Sequence, residues 1–119
     1  MSKLDRIRLA GIEEIPVGQV KRCVAPGHAP FAVYNVEGEF FVTEDTCTHG
    51  MASLSEGTLD GDVIECPFHA GAFNVRTGEV VERPCVVPLK TYAPILEDGA
   101  IYVDSAPRGI STMAGDGAR

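Results

Sequence analysis

Cys47-Thr48-His49 and Cys66-Pro67-Phe68-His69, separated by sixteen residues, supply two thiolates and two imidazoles in the order Cys, His, Cys, His. A pair of sulfide-bridged irons needs four protein ligands, two on each iron, and a mixed set of this kind puts both imidazoles on one iron. Neutral histidines in place of anionic cysteines make the cluster less negative. An added electron is then held more readily, and the potential rises from about −400 mV into the range of roughly −150 to +300 mV. The chemistry expected of Cys47, His49, Cys66 and His69 is therefore one-electron transfer through one [2Fe–2S] cluster. A Cys-x-His step is too short to wrap one metal comfortably with both side chains. Each box is predicted to offer one ligand to each iron, on two loops that close over the cluster.

Two other readings compete. Zinc also takes two cysteines and two histidines, but its usual Cys-x₂₋₄-Cys knuckle and His-x₃₋₅-His pair are both missing here. Buried cysteines and surface histidines could also coincide without a metal, since a free cysteine often serves as a small core residue. The agreement of two interrupted boxes favours iron and sulfide.

The elements that must carry these boxes are short strands. Arg6-Ile7-Arg8-Leu9 alternates, Gln19 to Val24 reads as a second strand, and Phe31 to Val36 with Glu39 to Thr43 reads as a hairpin across Glu37-Gly38. Thr58-Leu59 and Val63 to Glu65 flank Asp60-Gly61, another hairpin signal, so Cys66 follows directly from a strand end. Ala72 to Val75 leads into an Arg76-Thr77-Gly78 turn, and Leu89 to Leu96 is predicted to pair with Ala100 to Val103 across Asp98-Gly99. Pro84, Pro88 and Pro94 should fall at strand ends or edges, because proline cannot donate to a ladder. The pattern implies an all-β fold, a small antiparallel sandwich or barrel in which two loops form a cluster-binding subdomain. Residues 1–104 are expected to form one domain. Residues 105–119 are small, polar and glycine-rich without periodicity, and read as a disordered tail.

Charge narrows the partners. Net charge is −7, and no lysine or arginine lies between Arg22 and Arg76, an interval holding Glu37, Glu39, Glu44, Asp45, Glu56, Asp60, Asp62 and Glu65. Such an excess repels nucleic acid and anionic lipid and steers encounter with basic patches on redox partners. The expected location is cytoplasmic, with no apolar run long enough for a membrane span and no secretion-type start. In a reducing compartment Cys23 and Cys85, outside both boxes, read as free packing or surface thiols. A bridge between them is formally possible but disfavoured.

Cys47-Thr48-His49-Gly50, Leu54-Ser55-Glu56-Gly57, Leu59 to Glu65, Cys66-Pro67-Phe68-His69 through Gly71, Phe73 and Thr77-Gly78 together resemble the Rieske-type ferredoxins of bacterial aromatic-ring-hydroxylating dioxygenase systems. The resemblance spans about residues 4 to 104, including Lys90-Thr91-Tyr92 and the closing strand. It implies a Rieske fold with Cys47 and Cys66 on an inner iron and His49 and His69 on an outer one. It also implies a non-catalytic carrier that takes electrons from an NADH-dependent flavin reductase and passes them to a terminal oxygenase, with no small-molecule substrate of its own.

Departures from neighbouring families refine the expectation. Respiratory Rieske proteins have extra cysteines where this chain has Ala52 and Phe68, and a sulfide-directed serine where it has Gly71. Fewer hydrogen bonds to sulfur leave the reduced state less stabilised, which predicts a potential of about −150 mV. Gly50, Gly71 and Pro67 are expected to shape the loop backbones, and Met51, Phe68 and Phe73 to cover the cluster or fill the core. Only His28 remains after the two ligand histidines, so the mononuclear iron site of a terminal oxygenase cannot be built here. His28 itself reads as an exposed turn residue. The alternative carrier role is that of a small Rieske subunit attached to an assimilatory nitrite reductase-type complex.

Overall fold

The computed structural model describes residues 6–47, 52–67, 71–82 and 87–104. Eleven short strands cover them: β1 (Arg6–Gly11), β2 (Val20–Cys23), β3 (Phe31–Val36), β4 (Glu39–Glu44), β5 (Thr58–Asp60), β6 (Val63–Glu65), β7 (Ala72–Asn74), β8 (Val80–Glu82), β9 (Thr91–Tyr92), β10 (Ile95–Glu97) and β11 (Ala100–Asp104). Two 3₁₀ turns, Ile12–Glu14 and Leu54–Glu56, interrupt them, and no α-helix occurs among the described residues. The tail at 105–119, Pro84 and Cys85 lie outside the described residues.

The strands form three antiparallel sheets, ordered β1-β11-β10, β2-β3-β4-β9 and β5-β6-β7-β8. Strand β3 explains how they stack. Alternate side chains of a strand point to opposite faces, and all six residues of β3 are buried. Ala32, Tyr34 and Val36 enter one core with Leu54, Ile64, Phe73 and Leu89. Phe31 and Val33 enter a second core with Ala10, Ile15, Val42, Ile101 and Val103. The middle sheet therefore buries both faces, against β1-β11-β10 on one side and β5-β6-β7-β8 on the other. Leu54, Ile64 and Phe73 are fully buried, each removal from water contributing about 1.5–3 kcal/mol. That burial compensates for the three-residue strands of the outer sheet, which are too short to be stable alone.

Turn chemistry sets the registers. Glu37-Gly38 and Asp98-Gly99 all take positive φ, at 54°, 95°, 54° and 76°, the conformation of a two-residue hairpin whose twist matches its strands. Between β5 and β6 the turn falls one residue later than the Asp60-Gly61 signal suggests, because Asp60 still pairs with Val63. The expected continuous strand from Leu89 to Leu96 is corrected to two. Thr91 and Tyr92 pair with β4, whereas Ile95 to Glu97 pair with β11, and Pro94, having no N–H, lies at the switch between sheets. Strand β8 was not expected; Val80-Val81 lacks alternation, and the strand is an edge held to β7 through a register shift.

Candidate metal centre

Both Cys-and-His boxes begin where a ladder ends. After β4 the chain makes a closed neck: Leu54 N–H donates to the Asp45 carbonyl (2.7 Å) and Cys47 N–H to the Ala52 carbonyl (2.9 Å), with Thr46 and Ser53 bridged antiparallel between them. The second neck extends the β6–β7 ladder, where Glu65 faces Ala72 and Cys66 N–H donates to the Gly71 carbonyl at 2.8 Å. Each cysteine thus occupies the last paired position of its neck among the described residues.

The necks lie against one another. A β-carbon on Gly57, just after the turn that closes the first neck, would stand 1.9 Å from the carbonyl oxygen of Glu65 at the start of the second. Cys47 and Cys66 are 2% and 7% exposed and belong to one buried cluster with Tyr34, Leu54, Ile64 and Phe73. Two nearly dry thiols on neighbouring necks fit the inner, sulfur-rich end of a two-iron cluster, where an apolar shell limits solvent access and so tunes the potential. His49, His69, Gly50, Met51 and Phe68 lie outside the described residues. Ala52 fills core volume at the first neck, and Gly71 closes the second through its carbonyl.

One residue of the site was read in sequence only as part of the acidic surface. Asp45 is buried, its side chain 1% exposed. Its N–H donates to the Pro30 carbonyl at 3.0 Å, its Oδ1 accepts the Ser55 N–H at 2.9 Å, and its Oδ2 lies 3.4 Å from Arg22 Nε. Only the neck register, which puts Asp45 opposite Leu54 and Ser55, reveals this. The sequence signal was a carboxylate two places before Cys47.

Arg76 performs the corresponding function elsewhere. Its Nε is 3.1 Å from Asp62 Oδ2 and its Nη1 3.3 Å from Glu39 Oε1, and its guanidinium carbon lies 4.7 Å from the Phe41 ring centroid. His28 is exposed in a turn, with its N–H on the Ala25 carbonyl at 3.1 Å. Cys23 is a buried free thiol. Desolvation pushes its pKa up to about 11, while nearby Lys21 pulls the other way.

The pattern of the Rieske [2Fe-2S] domain matches residues 5–93. The chain belongs to this family. It is similar to Ferredoxin CarAc of Metapseudomonas resinovorans, 53% identical over 97 residues that cover 82% of this chain and 91% of the relative. To the ferredoxin component of the p-cumate 2,3-dioxygenase system of Pseudomonas putida it is 43% identical over 101 residues, covering 84% and 86%. A chain of the complex of reduced oxygenase and oxidized ferredoxin in carbazole 1,9a-dioxygenase superposes with a TM-score of 0.83 at 49% identity, over 87% of this chain and 96% of that one. As a Rieske protein of the ferredoxin kind, the chain carries one Rieske-type [2Fe–2S] cluster and is an electron carrier, not a catalyst. Among the described residues no helix is long and apolar enough to cross a membrane.

Proposed function

We propose that Cys47 and Cys66 hold one iron of the cluster and His49 and His69 the other, and that the protein is the electron-carrying ferredoxin of an aromatic-ring-hydroxylating dioxygenase system. The cluster, when bound, accepts and releases one electron at a time. A flavin-containing, NADH-dependent reductase supplies the electron, and a terminal Rieske oxygenase receives it, in the cytoplasm. Residues 1–104 form the functional domain, with 105–119 outside it.

The observation that carries this reading is the pair of zipped necks that bring Cys47 and Cys66 into one buried cluster, each immediately before the loop that bears its histidine. The necks fix where the two loops start, and the buried core beneath excludes water from the thiols. The test has two parts. Purified protein should contain two irons and two acid-labile sulfides with a Rieske-type EPR signal on reduction, and one zinc in their place overturns the ligand assignment. Added to a reductase and terminal oxygenase of an aromatic dioxygenase system, it should restore NADH-driven ring hydroxylation. Stable copurification with a sirohaem reductase would instead assign it to a nitrite reductase-type complex.

A further inference from the structure

We propose that Asp45 and Arg22 form a charged clasp on the first neck and that the balance of their two charges sets the reduction potential of the cluster. The inference rests on the ligand reading above, because it needs Cys47 at the cluster.

The geometry makes Asp45 a positioning residue three times over. Its carbonyl and Oδ1 receive two successive N–H groups of the returning strand, from Leu54 and Ser55, and its own N–H anchors the neck to Pro30 ahead of β3. Removal of the carboxylate would leave the Ser55 N–H unpaired at the point where the loop must close. The second consequence is electrostatic. Asp45 lies two residues from Cys47 with its side chain 1% exposed, so solvent screens its charge poorly at the site where an electron arrives. A fixed anion there opposes reduction. Arg22, on β2, supplies the compensating cation, but its side chain is 50% exposed and therefore more fully screened. The pair is neutral in sum and negative in its effect on the cluster.

Opposite signs separate this from a merely structural role. On the cluster-loaded protein, followed by spectroelectrochemistry, Asp45→Asn should raise the reduction potential, since the amide oxygen can still accept the Ser55 N–H while the charge is gone. Arg22→Gln should lower it, Arg22→Lys should restore it, and the double variant should fall between the two single variants, close to the unmodified protein. If neck geometry alone mattered, Asp45→Asn and Arg22→Gln would shift the potential in the same direction.

Should Asp45→Asn fail to retain its iron, the surface pair Arg22→Gln and Arg22→Lys decides alone, as neither touches the three hydrogen bonds of Asp45 to backbone. An unchanged or raised potential in loaded Arg22→Gln overturns the proposal. Failure of the unmodified protein to hold two irons would instead overturn the ligand reading, so the two failures are distinguishable.

Discussion

Gly57→Ala tests whether the two necks touch as described. The φ and ψ of Gly57 are −87° and −161°, extended backbone that alanine adopts without strain. A backbone penalty therefore cannot explain any loss, and what remains is contact. The new methyl would stand 1.9 Å from the Glu65 oxygen and 3.2 Å from the Leu54 oxygen. Relief requires Glu65 to retreat by more than about 1 Å, since contacts below 3.0 Å do not persist, and Glu65 is paired with Thr58 on one side and Ala72 on the other. Overpacking of this kind costs about 1–3 kcal/mol, a weakened ladder hydrogen bond adds about 1 kcal/mol, and the stiffer unfolded chain returns about 0.5 kcal/mol. The net loss is about 1.5–3.5 kcal/mol, a large part of the roughly 5–15 kcal/mol available to a domain. Urea denaturation with an unchanged slope and a lower midpoint is the expected result, together with reduced iron content, because Cys66 follows the displaced residue. As a comparison, Gly27→Ala meets no atom within 4 Å but has a φ of +80°, so it should cost about 1 kcal/mol and leave iron content alone. A Gly57→Ala protein as stable and as fully loaded as the original would refute the contact between the necks.

Tyr34 and Thr43 offer a second test: the Thr43 hydroxyl donates to the Glu44 carbonyl at 2.7 Å, so the Tyr34 hydroxyl must donate to Thr43 Oγ1 at 2.9 Å. Tyr34→Phe should cost about 1–2 kcal/mol, Thr43→Val more because it deprives two partners, and the double variant less than the sum by about 1 kcal/mol; strict additivity in denaturation curves would contradict the relay. The Cys23 thiol, raised from 9.0 to about 11, ionises first in the unfolded chain. Its contribution to stability is therefore complete below pH 9.0 and is lost as pH rises through about 11. Denaturation midpoints should fall across this window less steeply in Cys23→Ala, the residual slope belonging to Tyr34 and Tyr92, whose burial also raises their pKa values; equal slopes exclude the assignment. Arg76→Met should lower stability by about 1 kcal/mol, the sum of two exposed ion pairs and one cation–π contact, with most of the loss insensitive to salt if the Phe41 contact dominates.

What the sequence made legible was local. Period-two runs, two-residue turns carrying glycine and the two ligand boxes each depend on neighbours within a few residues, and β1 to β7 and the all-β class follow from them. The sheet partners of 89–97 depend on which surface each half meets, so Pro94 announced a break without saying that the halves belong to different sheets. Strand β8 has little intrinsic signal and owes its form to β7. Asp45 was hidden for a related reason: among eight carboxylates in one interval, only the register of a neck ten residues long distinguishes the buried one.

The same register redistributes the acidic interval that looked continuous in sequence. Strand β4 runs from Glu39 to Glu44, toward Cys47, and β6 from Val63 to Glu65, next to Cys66, so the strand starts and the necks lie at opposite ends of these two strands. At about 3.3 Å per residue, Glu39 lies some 25 Å along the chain from Cys47. Arg76 joins Glu39 to Asp62 at the strand starts and partly neutralises both, while Glu37 in the adjoining turn and Asp60 at the end of β5 remain exposed. Near the necks Asp45 is buried against Arg22, and the Glu44 carboxylate accepts the Lys90 N–H, leaving Glu56 and Glu65 exposed. The two arginines that bracket the interval in sequence thus fold back on it from both sides. Long-range attraction to a basic partner follows from the net charge of the whole chain and should weaken with salt.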